Sequence, residues 1–103
     1  MLPGGYRTNP EQLFAAGYAA CFHNGLRLVA AQQGVRPGAS TVRSKVTLLA
    51  VDTGAFTLAV TLAVHLPGLD WSTAGQLVKA THEVCPYSNA TRGNIEVTLK
   101  TTV

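Results

Sequence analysis

Apolar and polar positions divide the chain into an opening loop, five helices and strands, and one compact turn. Residues 1–8 are rich in Gly and Pro and read as loop. Asn9-Pro10-Glu11 then opens a helix: Asn9 suits the cap, Pro10 the first turn, and Glu11 the positive end of the helix dipole. The helix runs to Gln33, with Gly34 as its stop. From Leu13 to Phe22 its only polar side-chain atom is the Tyr18 hydroxyl, a pattern that predicts a central helix buried on all sides. Gly17 and Gly25 weaken that helix and mark places where another segment comes close.

Residues Ser40–Val51 alternate loosely, as in a strand, Asp52-Thr53-Gly54 is a turn, and Ala55–Leu66 reads as the second arm of a hairpin. Pro67-Gly68 ends it. Asp70 caps a second helix, with Leu77, Val78, Thr81 and Val84 at helical spacing, and Pro86 stops it just after Cys85. Residues 87–93 form a compact turn or short helix. Asn94–Val103, with Ile95, Val97 and Leu99 alternating, is a final strand. The order helix, strand, strand, helix, strand gives a single α+β domain over residues 1–103. Three strands are few to cover a helix that is apolar all round.

Composition sharpens that mismatch. Of the 103 residues 47% are hydrophobic and only 13% charged, against about 25% charged in an average soluble domain. A small chain with so little charge has apolar surface left over, which points to a second copy of itself. The net charge of +3 comes from scattered basic residues that do not interleave with aromatics, against nucleic-acid binding. No apolar run reaches the length of a membrane span, and Met1–Arg7 has no signal-peptide core, so the expected compartment is the cytoplasm.

In that compartment two cysteines point to redox chemistry more than to a structural staple. Cys21 and Cys85 are 64 residues apart, which excludes CxxC chemistry and zinc spacing. Each could be an inert buried thiol, but both sit in unusual settings, mid-helix and before a proline. Burial raises a thiol's pKa, so Cys21 is reactive only beside a cation, for which an arginine is best suited. Glu11 is the only acid before Asp52. It is either a first-turn helix acid or the residue that orients that arginine. About 15 Å of helix rise separates it from Cys21, so the second role requires an antiparallel copy of the helix. His23, His65 and His82 share no ligand spacing, so no metal is expected. His82 lies one turn before Cys85 on the same helix face, where a surface histidine is the plainer reading than a modulator of the thiol. No Ser-His-Asp set, phosphate loop or dinucleotide fingerprint is present.

Two segments carry a resemblance. Thr8-Asn9-Pro10-Glu11-Gln12-Leu13-Phe14-Ala15-Ala16-Gly17-Tyr18-Ala19-Ala20-Cys21-Phe22 and Val84-Cys85-Pro86-Tyr87-Ser88-Asn89-Ala90-Thr91-Arg92-Gly93-Asn94 resemble the two signatures of the organic hydroperoxide resistance (Ohr) branch of the OsmC superfamily, and Leu66-Pro67-Gly68-Leu69-Asp70 fits between them. The resemblance implies an OsmC-like fold, with a long central helix and a second helix packed on an antiparallel sheet in an intertwined homodimer. It implies a thiol peroxidase of fatty-acid and other organic hydroperoxides. Cys21 would be the peroxidatic cysteine, Cys85 the resolving cysteine, and Glu11 the active-site glutamate. A Cys21 sulfenic acid would close to a Cys21–Cys85 disulfide and be re-reduced by dihydrolipoyl groups of a lipoylated protein, with no bound cofactor. The family carries its thiolate-contacting arginine on strands preceding the first signature. Here only Arg7 stands near as a substitute, and Arg92 reads as structural. The alternatives are a catalytically impaired dimer that binds apolar ligands and a redox sensor signalling through the same disulfide.

Overall fold

The computed structural model describes residues 9–103. Helix α1 spans Pro10–Gln33 and strands β1 and β2 span Thr41–Ala50 and Phe56–His65. Helices α2 and α3 span Trp71–Val84 and Pro86–Thr91, and β3 spans Glu96–Thr102. These are the elements the sequence predicts, with a short helix, α3, from Pro86 to Thr91 where a compact turn or short helix was expected over 87–93.

The helix ends are set by local chemistry. Asn9 accepts from the Gln12 backbone N–H at 2.8 Å, and the Gln12 side chain accepts from the Asn9 N–H at 3.0 Å, a reciprocal capping box. Gly34 closes α1 in the left-handed region at φ 70°. At α2, the Asp70 carboxylate accepts from the Thr73 N–H at 2.7 Å, and bonds to Thr73 hold its pKa below the usual value.

β1 and β2 form an antiparallel hairpin paired from Thr41↔His65 to Ala50↔Phe56. β3 adds to the other edge of β2 and runs parallel to it, from Ala59↔Glu96 to His65↔Thr102. The sheet is therefore mixed, where an antiparallel one was expected. A parallel neighbour requires a crossover connection of a dozen residues or more, and α2 with α3 supplies it. β2 is the central strand. Its Val60, Leu62 and Val64 are buried against Tyr18, Phe22, Leu26, Val29 and Ala30 of α1 and Ala74, Leu77 and Val78 of α2.

One expectation fails within a single chain. α1 is not buried on all sides: Leu13 is 63% and Leu28 58% exposed, and Ala16 and Ala20 share that outer face. The sheet and α2 cover one side of the helix and leave the other apolar stripe open. Leu48, Leu49, Val51 and Phe56 are also exposed, at the far end of the hairpin.

Candidate active site

Cys21 and Cys85 meet. Their sulfurs lie 3.8 Å apart, both as free thiols, with Cys85 buried and Cys21 half-buried. The meeting follows from one break in the backbone. Pro86 disfavours helical geometry at the residue before it, and Cys85 takes extended values, φ −65° and ψ 124°. Cys85 thus caps both helices: its N–H donates to the Thr81 carbonyl at 2.9 Å and its carbonyl accepts from Asn89 N–H at 2.9 Å. The thiol sits at the α2–α3 corner, against the middle of α1.

Aromatic packing fixes where that corner rests. Tyr87 lies against Phe14 and Tyr18, with ring centroids 5.7 and 5.4 Å away. Its hydroxyl rests on Gly17, where a Cβ would collide with it. Gly17 thus meets the close approach its sequence context predicts. At Gly25 an added Cβ would meet the Thr81 methyl at an ordinary 3.5 Å. Phe14, Pro86, Tyr87, Ala90, Thr91 and Ile95 line an open, mostly apolar groove of about 350 Å³ beside the corner.

Beneath the corner lies a polar chain. The Ser88 hydroxyl, fully buried, is 2.7 Å from the Tyr18 hydroxyl and 2.7 Å from His82 Nδ1. Thr91 donates its hydroxyl to the Ser88 carbonyl at 3.2 Å, and Arg92 donates to the His82 carbonyl at 2.7 Å and to the Asn89 side chain. Arg92 thus braces the two helices. His82 is half-buried, not a plain surface histidine, and burial, with help from the Arg92 charge, pushes its pKa down. Ser88, Tyr18 and Tyr87 are not marked as site residues by any motif of their own. The pertinent signal was a lone hydroxyl in an otherwise apolar helix and a glycine one position before it.

Burial pushes the Cys21 thiol up, the Tyr87 backbone N–H works the other way, and the nearby Cys85 adds to the rise. No cation among the described residues contributes. Arg7 lies outside the described residues. Glu11 lines a shallow pocket with Asn9, Gln12, Ala15, Ser44, Lys45 and Val46 at the start of α1, about 15 Å of helix rise from Cys21. The structure does not bring it to the thiols of its own chain. Among the described residues no three His, Cys, Asp or Glu side chains converge as metal ligands. His23 instead meets the Ser40 hydroxyl at 2.9 Å and His65 the Thr102 hydroxyl at 2.7 Å.

The family model for OsmC-like proteins matches residues 3–100. The chain belongs to the OsmC-like family. Among its OsmC-like relatives, the organic hydroperoxide resistance protein of Xanthomonas axonopodis pv. citri is 52% identical over 97 residues, covering 93% of this chain and 68% of that protein. OhrB of Bacillus subtilis, also named an organic hydroperoxide resistance protein, is 50% identical over 94 residues, covering 90% of this chain and 68% of its own length. The crystal structure of an organic hydroperoxide resistance protein from Elizabethkingia anophelis superposes with a TM-score of 0.89 at 47% identity. It covers 92% of this chain and 68% of that one. The Ohr branch of the OsmC-like family, where the two signatures place the chain, is thus the branch of its similar relatives.

Proposed function

We propose that this chain is a cysteine-based peroxidase that detoxifies organic hydroperoxides. The observation that carries the reading is the 3.8 Å separation of the Cys21 and Cys85 sulfurs, in a chain whose relatives are named for organic hydroperoxide resistance. In this reading the Cys21 thiolate attacks the terminal peroxide oxygen. The O–O bond breaks, the alkoxide leaves and takes a proton to become the alcohol, and Cys21 is left as a sulfenic acid. Cys85 then condenses with it, releasing water and closing a disulfide. A dithiol of the dihydrolipoyl type, carried on a lipoylated protein, returns both thiols. The apolar groove lined in part by Phe14, Pro86 and Tyr87 suits an alkyl or acyl chain better than it suits hydrogen peroxide.

The test is consumption of tert-butyl or lipid hydroperoxide with dihydrolipoamide as reductant. Turnover of the organic peroxide well above that of hydrogen peroxide is expected, and no turnover sinks the reading. A chain that binds apolar ligands without turning over peroxide would fit the impaired-dimer alternative, and the half-buried Cys21 thiol with no cation beside it among the described residues is the observation in its favour.

We assign the role of activating cation to Arg7. With Cys85→Ser to leave one thiol, the alkylation rate of Cys21 follows the thiolate fraction, which grows about tenfold per pH unit below the pKa. A cation stabilises the thiolate and lowers that pKa. The midpoint is therefore expected below the free-thiol value of about 8.5 in the parent chain, and above it after Arg7→Met. Identical profiles would remove Arg7 from the site.

Homodimerisation completes the reading. The stripe of Leu13, Ala16, Ala20 and Leu28 is apolar and exposed, and its small residues allow a second helix to approach closely. Glu11 enters the chemistry only by way of such a partner, as the residue that orients the cation in the other subunit's site. Light scattering is expected to give twice the chain mass; a monomer at micromolar concentration would defeat the role of Glu11. No helix among the described residues is long and apolar enough to cross a membrane, and free thiols suit the reducing cytoplasm.

A further inference from the structure

The Ser88 hydroxyl is fully buried; burying it costs free energy unless it is bonded. Its two partners come from different elements: Tyr18 from α1, three residues before Cys21, and His82 from α2, three residues before Cys85. Ser88 itself lies in α3, one turn after Cys85. This one hydroxyl therefore joins the three helices whose relative placement sets the distance between the sulfurs. Closing the disulfide takes that distance from 3.8 Å to about 2 Å. The corner must approach α1 without losing its orientation, and apolar packing alone does not fix direction as a hydrogen bond does.

We propose that Ser88, held between Tyr18 and His82, is a positioning residue for disulfide closure, keeping the Cys85 thiol aimed at Cys21 while leaving peroxide attack to Cys21 itself. The proposal rests on the peroxidase reading for its physiological oxidant. In the step concerned, the Cys85 sulfur attacks the sulfenyl sulfur of Cys21. The S–S bond forms, the S–O bond of Cys21 breaks, and the hydroxide leaves with the proton of Cys85 as water. Cys21 is reduced from sulfenic acid to disulfide as Cys85 is oxidised to it.

The experiment separates the two steps in single turnover. Consumption of one equivalent of tert-butyl hydroperoxide reports peroxide attack. Dimedone labelling reports the sulfenic acid, and mass spectrometry under non-reducing conditions reports the disulfide. In Ser88→Ala, closure is expected to slow about tenfold, the scale of one lost hydrogen bond. The sulfenic acid should accumulate while peroxide consumption stays close to the parent rate. Tyr18→Phe keeps the ring, removes only the hydroxyl, and should show the same split if Ser88→Ala folds poorly. His82→Leu should reproduce it too, while His82→Asn, which keeps a polar atom near the Nδ1 position, should recover most of the closure rate. Closure at the parent rate in both Ser88→Ala and Tyr18→Phe overturns the proposal, and so does equal slowing of both steps. Closure driven by diamide, which needs no peroxide, gives an independent reading. A parent chain inert to hydroperoxide but closing with diamide faster than Ser88→Ala refutes the peroxidase and supports the positioning role; equal diamide rates refute the positioning role.

Discussion

A chain carrying Cys21→Ser is expected to lose hydroperoxide turnover to the uncatalysed background, a drop on the order of 10⁴-fold or more, the scale on which losing a covalent nucleophile is felt. A serine hydroxyl does not ionise near neutrality and cannot form the sulfenic acid on which the cycle turns. Cys85→Ser should behave differently. It keeps the nucleophile, so the first equivalent of peroxide is consumed and the sulfenic acid becomes trappable by dimedone. Steady turnover then depends on whether the external dithiol can attack Cys21 directly. Cys21 is half-buried, so that route is open but slower. Both variants are measured with the same hydroperoxide and dihydrolipoamide, following peroxide loss. If Cys21→Ser retained the parent rate, the chemistry would have to reside elsewhere; if Cys85→Ser alone were inactive in the first turnover, the two roles would be exchanged.

Much of this site was legible in the chain because its punctuation is strong. Asn9-Pro10, Gly34, Asp70 and Pro86 each determine a local conformation whatever surrounds them, and the elements begin and end there. Pro86 goes further, since by forcing Cys85 out of helical geometry it also explains why that thiol faces α1. The direction of β3 was less legible. Alternation of Ile95, Val97 and Leu99 identifies a strand but is blind to whether its neighbour runs the same way. That is decided by where the α2–α3 crossover returns the chain. The burial of α1 within one chain is hard to read for a related reason. A helix with Leu13, Ala16, Ala20 and Leu28 on one side and Tyr18, Phe22 and Leu26 on the other is apolar all round, yet the sheet of the described residues covers only the second set. The Tyr18–Ser88–His82 chain was the least legible part. Its members are 70 and 6 residues apart in sequence, and each in isolation reads as an ordinary polar residue. Only tertiary packing makes them neighbours.

The same division of α1 into two faces sets the second large effect, on stability. Phe22→Ala is expected to cost about 3–5 kcal/mol, a large fraction of the roughly 5–15 kcal/mol that holds a domain together. The ring is fully buried in the core cluster that α1 forms with β2 and α2. Its loss leaves a cavity that a sheet on one side and a helix on the other can only partly close. For a domain this small the midpoint of thermal unfolding should fall by more than about 10 °C, as followed by circular dichroism. Leu28→Ala is the contrasting case. In a single chain that side chain is 58% exposed, and a substitution there should stay within about 0.5 kcal/mol. In a dimer joined through the outer stripe, the same substitution destabilises the assembly, and its cost then varies with protein concentration, because association and folding are linked. Phe22→Ala is destabilising at every concentration, whereas Leu28→Ala becomes so only where two copies meet. Melting both at two concentrations a hundredfold apart therefore distinguishes the inner face of the helix from its outer one. A Leu28→Ala effect that is small and independent of concentration would place the partner, and with it Glu11, on some other surface.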